Sequence, residues 1–362
     1  MIIQAVSGIN FKSEIQTADI DKTNTNPRIS TVESNDTFES KTVTKNKKKK
    51  KKHVFGKILL GILGTGLLIY GGVVLKRKLS KPSFEEIQRC FKEIFEKDLS
   101  KEEVESLIAK YKELCKNDKT EDFAKKLIEQ LKIDYGIEKV ETTTTVTRLK
   151  DGKLKTSLEQ TEYGNSNPLG GINIMPPTHE KTLIRSYQED TFETGFHELK
   201  HVKQFAEAYK ADPDKFVDAI YKQSVTKDLV DKSVKELKAN LKIEAKNLLN
   251  NENFKGMSLN EIEDLLEKEA LKGYETYENC VAGETKKFYR QMLDARFGKL
   301  ERYQEGTEEY KKGLEYIDAY AHYPDFNTNY EEYKKNLLEK EAWHVSDLAK
   351  NIYKYISSIW KL

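Results

Sequence analysis

Beyond Pro82, apolar residues recur at three- and four-residue intervals almost without interruption, and that spacing makes helices the main source of buried surface. Ser83 stands ahead of "FEEIQRCFKEIFEKD", Ser100 ahead of "KEEVESLIAKYKELCKN" and Thr120 ahead of "EDFAKKLIEQL". Each hydroxyl can cap a helix by accepting from a free backbone N–H of its first turn. Ile87, Phe91 and Ile94 in the first segment, and Val104, Ile108 and Tyr111 in the second, define one buried face each, so a small helical unit is expected over 83–135. Further on, "LVDKSVKELKANLKIEAKNLL" keeps Val230, Val234, Leu237, Leu241 and Leu248 in helical register, and Ser258 with Glu261 forms the capping box of "LNEIEDLLEKEAL".

The period changes once. "VETTTTVTRL", the Asp-Gly turn of "KDGK" and "LKTSLEQTEY" predict a β-hairpin, and "GGINIM" at 170–175 predicts a third strand. The expected fold class is therefore α+β, a small antiparallel sheet among helices.

The region before Pro82 differs in composition. Residues 1–82 hold 16 Lys and Arg against 6 Asp and Glu, which leaves 46 against 54 for the rest of the chain. The basic charge belongs to the N-terminal region, and the body gives no electrostatic reason to expect nucleic acid as a partner. Residues 1–53 lack the apolar content needed to offset ordering and are expected to be a disordered basic tail. Ile58 to Leu75 is uncharged, and the 22 residues from Val54 to Leu75 would span roughly 33 Å as a helix. A single transmembrane helix over 54–76 is the expectation. Eight basic residues flank it on the N-terminal side and four on the other, which predicts a cytoplasmic N-terminus and a C-terminal body outside. Cys90, Cys115 and Cys280 are too few and scattered for a disulfide framework and are expected as free or buried thiols.

Two of the six histidines stand four apart in "TGFHELKHVKQF", residues 194–205. On a helix, His197 and His201 share one face and can direct both imidazoles at one ion, with Glu198 beside it as a base. A His-Glu-x-x-His pattern arises by chance roughly 0.01 times in a chain of this composition. Phe192, Phe196, Leu199, Val202 and Phe205 give the segment the apolar surface of a helix held inside a fold.

In "FHELKHVKQF", the strands before it and a glutamate region near the C-terminus, the chain resembles the zincin metallopeptidases. The resemblance implies a zinc-dependent enzyme in which His197 and His201 hold zinc and Glu198 is the catalytic base. It also implies a sheet whose edge strand aligns a peptide or protein substrate, with "GGINIM" as the candidate. Lys200 departs from the uncharged residue of many members, and a lysine there can snorkel outward. The metzincin extension is absent after His201, and gluzincins instead take the third ligand from a later helix in an E-x-x-A setting. By resemblance that ligand is Glu339 in "NLLEKEAWHVSDLAKNIYKYI", while the helical spacing of Leu338, Ala342, Val345, Ala349 and Ile352 sits nearer Glu341. Glu278 in "YENCVAGE" is a third choice. His322, His344, Tyr330 and Tyr333 could stabilise an oxyanion or be ordinary packing and surface residues, and His179 has no second histidine near it. Residues 137–362 are thus expected to form a zincin-like domain with a helical insertion at about 214–316. The two readings carried forward are a membrane-anchored zinc metallopeptidase and an inactive membrane-tethered helical scaffold or binding protein.

Overall fold

A computed structural model of the protein describes residues 81–116, 120–146, 164–174, 187–325 and 328–359. Three helices open the described chain: α1 (Phe84–Phe95), α2 (Lys101–Cys115) and α3 (Thr120–Asp134). Three strands follow, β1 (Thr144–Val146), β2 (Gly164–Ser166) and β3 (Ile172–Ile174). The remainder is α4 (Tyr187–Ala211), α5 (Pro213–Ser224), α6 (Lys227–Leu248), α7 (Leu259–Ala270), α8 (Tyr277–Phe297), α9 (Glu308–Ala321), α10 (Tyr330–Lys335) and α11 (Leu337–Ile359).

Local chemistry sets where these helices begin. Ser83, Ser100 and Ser258 accept from the N–H of Glu86, Glu103 and Glu261, and each glutamate returns a bond to its serine's backbone N–H. Asp212 caps α5, whose first residue is Pro213, and Thr226, Thr276 and Thr307 cap α6, α8 and α9.

Helix α4 is the axis about which the described residues pack. Helices α3, α9 and α11 pack along it, and β2 and β3 lie against it. The rings of Phe91 and Tyr111 continue into those of Phe192 and Phe196, so α1 and α2 share one core with α4. Helix α9 approaches so closely that a Cβ at Gly313 would lie 2.5 Å from the Cβ of Ala211 and 2.6 Å from the carbonyl oxygen of Glu207.

Two expectations are corrected. The fold class is predominantly helical among the described residues, and its only described sheet is mixed, not antiparallel: β3 is central, parallel to β1 and antiparallel to β2. The reason lies in the side chains. Ile172 and Ile174 are buried and demand the centre, whereas Gly164, Asn165 and Ser166 suit an edge. "GGINIM" is therefore not the edge strand, and β1 and β2 do not pair as arms of a hairpin. The turn "KDGK" and the arm "LKTSLEQTEY" lie outside the described residues.

The second correction concerns the single-pass membrane placement. Among the described residues no helix is long and apolar enough to cross a membrane, and the 54–76 segment, like the 1–53 tail, lies outside them. Cys90, Cys115 and Cys280 are buried free thiols.

The α4–α9 contact predicts that Gly313→Ala destabilises the protein by about 1–3 kcal/mol, because both obstructing groups are held by helix backbone. A lower urea midpoint is the expected result, and an unchanged midpoint would show that the two helices can separate freely.

Candidate metal centre

Helix α4 carries six of the twelve buried polar or charged residues found among the described residues: Thr191, Glu193, Glu198, Lys200, His201 and Gln204. Polar groups enclosed in this way must find partners within the protein.

His197 and His201 set their Nε2 atoms 3.3 Å apart. Glu339, in the first turn of α11, places Oε1 3.2 Å from His201 Nε2 and Oε2 3.6 Å from His197 Nε2. Three ligands of a tetrahedral zinc ion at ordinary bond lengths are separated by about 3.3 Å, so the spacing fits an ion held between them. The donor set fits as well, since two imidazoles and a carboxylate suit zinc and its neighbours. Glu339 Oε2 is buried and has no hydrogen-bond donor, an anionic atom directed at the place a cation would take. Among the described residues, His197, His201 and Glu339 form a group that could hold a metal ion, with ligand atoms all within 4.8 Å of one another.

Each ligand is positioned by its own support. Asn336 separates α10 from α11: its Oδ1 accepts from Leu338 N at 3.0 Å and its Nδ2 donates to Ala319 O of α9 at 2.9 Å. This fixes the start of α11 and leaves Glu339 at a helix N-terminus, where the helix dipole favours a carboxylate. The Tyr323 hydroxyl donates to Glu339 Oε1. Burial alone would raise the Glu339 carboxyl, but His201 and His197 outweigh it and hold the group well below the usual carboxylate range. For His201, burial acts to lower the pKa, and Glu339 overcomes it and raises the imidazole above its ordinary value.

Gln204 orients His201. Its Nε2 donates to Leu338 O at 3.2 Å and to Glu341 Oε2 at 3.3 Å, both acceptors, so its Oε1 must be the atom facing His201 Nδ1 at 3.0 Å. The Nδ1–H therefore donates to Gln204, and Nε2 is left with a free lone pair toward the triad.

Glu341 is consequently not a ligand. It accepts from Lys312 Nζ and from the Tyr316 hydroxyl, each at 2.6 Å, and Lys200 Nζ lies 3.3 Å away. Lys200 does not snorkel outward: it is 3 % exposed and donates to Glu96 at 2.8 Å. Burial works to lower its pKa, but Glu96 and Glu341 outweigh that and keep it charged. Glu278 is exposed in the first turn of α8, away from the triad.

Glu198 is buried against the edge strand. A Cβ at position 164 would lie 2.9 Å from Glu198 Oε1 and 2.7 Å from Thr194 Cγ2, so Gly164 is the residue that admits the carboxylate. Burial raises the Glu198 carboxyl, His197 and His201 oppose the rise, and Glu339 adds to it.

The weaker candidates divide. Tyr333 packs edge-on against Tyr323 with ring centres 5.6 Å apart, and the exposed Tyr330 stacks on Tyr333. His322 is exposed beside Lys222 and Asp318, and His344 is exposed and meets Glu93 at 3.1 Å, so neither joins the triad. His179 lies outside the described residues. Sequence reasoning missed Gln204, Tyr323 and Trp343, whose half-exposed ring sits 4.9 Å from that of His197. The i, i+3 spacing from His201 to Gln204 was the available signal for the first. Tyr323 had none, because its contact arrives from a different part of the chain.

No family model matches the chain, and neither a characterised protein nor a solved structure matches it. The geometry therefore stands alone.

If Gln204 holds the His201 tautomer, Gln204→Leu should weaken metal binding roughly 10- to 100-fold while leaving helix content unchanged. Chelator competition measures this, and wild-type affinity in the variant would remove Gln204 from the site's support.

Proposed function

We propose that the protein is a zinc-dependent peptidase of gluzincin type, with His197, His201 and Glu339 as metal ligands and Glu198 as general base. The observation that carries the reading is the convergence of Glu339, from more than a hundred residues downstream, on the two histidines at tetrahedral spacing. The resemblance of "FHELKHVKQF" to the zincins supports the same reading, as does the burial that raises the Glu198 carboxyl above its ordinary value, the direction that makes a carboxylate a better proton acceptor.

When bound, the ion supplies the positive charge that acidifies water and polarises a carbonyl. Glu198 accepts a proton from the attacking water as its oxygen bonds to the carbonyl carbon. It then delivers that proton to the amine nitrogen as the C–N bond breaks, so peptide and water become a carboxylic acid and an amine. Strand β2 lies at the sheet edge with Gly164 against Glu198, and an extended peptide added there would bring its backbone to the base. Tyr323 and Gln204 act through the ligands, the first on Glu339 and the second on His201.

Glu198→Gln should retain about one zinc per chain and lose cleavage of an unfolded protein substrate by at least about a hundredfold. His197→Ala should lose the metal. Absence of zinc from the wild-type chain would overturn the peptidase reading, and undiminished cleavage by Glu198→Gln would remove Glu198 as the base.

A further inference from the structure

Trp343 lies one turn beyond Glu339 on α11, off the face that Leu338, Ala342, Val345 and Ala349 bury. Its ring is 45 % exposed, yet its centre stands 4.9 Å from that of His197, with the two planes inclined by 65°. Half of an indole is thus apolar surface that folding leaves uncovered, and it adjoins a histidine of the triad.

Helix α4 is open at the same place. Between Thr191 and Val202 only Thr194 and His197 escape full burial, and residues three apart share one face of a helix. The two flanks of that opening differ. On one, Gly164 of edge strand β2 presses on Thr194, where an added Cβ would lie 2.7 Å from Cγ2. On the other, Trp343 stands against His197. The floor is therefore a threonine and an imidazole, set between the backbone of an edge strand and an indole ring. A peptide added to β2 sends alternate side chains to one face, and those beside the bond at the triad would meet this floor and ring.

We propose that Trp343 is a specificity-determining residue: with Thr194 and His197 it forms the subsite for an aromatic side chain on a substrate residue next to the bond that is cut. The cut bond rests on the peptidase reading, and the aromatic occupant rests on the geometry of the ring. An aromatic side chain entering from solvent covers the exposed indole and meets it edge-on or offset, a pairing worth more than the buried area alone. An alanine in the same place would leave the indole nearly as exposed as before.

The test uses the full chain and two readouts. The chain has two tryptophans, so Trp360→Phe leaves Trp343 as the sole reporter. In that variant, carrying Glu198→Gln as well, a blocked alanine peptide with one central phenylalanine should shift or quench Trp343 emission and saturate. The all-alanine peptide should need about tenfold more to do the same. In the wild-type chain loaded with zinc, kcat/KM should favour the phenylalanine peptide by about tenfold. Trp343→Ala should cut that ratio at least about fivefold, and Trp343→Phe should restore most of it. Emission unmoved by the phenylalanine peptide, or a ratio unchanged in Trp343→Ala, would overturn the subsite while cleavage itself upheld the peptidase reading. An equal fall for both peptides would mean that Trp343 only props His197, and would overturn it as well. Where neither peptide is cleaved, the loss falls on the peptidase reading, and the emission titration alone decides the subsite.

Discussion

Enclosure of α4 on its several sides is the constraint from which the rest of the site follows. A helix packed against α3, α9, α11 and the sheet cannot send its polar side chains to water, so each must be answered by a neighbour. Lys200 is answered by Glu96 and Glu341, Gln204 by Leu338 and Glu341, and His201 by Gln204 and Glu339. The answering groups come from α11, from the α1–α2 junction and from α4 itself, so satisfying the helix also fixes where the first two sit. Removing one partner would leave a buried charge or amide unpaired, which costs more than the bond itself contributes.

That dependence explains the division of labour among the glutamates. Glu339 sits at 1 % exposure and faces two imidazoles, where a cation would balance it. Glu341 faces two lysines and is balanced without a metal. The positive charge on Lys200 and Lys312 thus keeps a second carboxylate occupied beside the triad, and Gln204 connects the two groups without carrying charge.

The parts of this arrangement legible in the sequence are those set by local geometry. His197, Glu198 and His201 share a turn, and turn spacing alone brings them together; the serine-glutamate boxes that start α1, α2 and α7 are local in the same way. Helical spacing around Leu338 and Ala342 could not separate Glu339 from Glu341, because it ranks burial and says nothing of which neighbour waits there. Lys200 read as a surface lysine for the same reason: Glu96 lies more than a hundred residues away in sequence. The sheet failed on order, not on existence. Strands were visible in the run of β-branched residues, but a parallel β1–β3 pair is a long-range arrangement that no local turn signal encodes. The long apolar run before Pro82 was the strongest composition signal in the chain and has no counterpart among the described helices.

The geometry of α11 shows why the two glutamates cannot exchange roles. Residues two apart on a helix point about 200° from each other, so Glu339 and Glu341 leave α11 on nearly opposite sides. Both nevertheless meet α4, Glu339 at His197 and His201 and Glu341 at Lys200 and Gln204. The first turn of α11 therefore straddles α4, with one carboxylate on either flank, and Asn336 pins that turn to α9. A rotation of α11 that brought Glu341 to the imidazoles would carry Glu339 away from both histidines and strip Lys200 and Lys312 of their shared partner. Two charge contacts of opposite hand hold one helix register, and the register in turn selects the ligand.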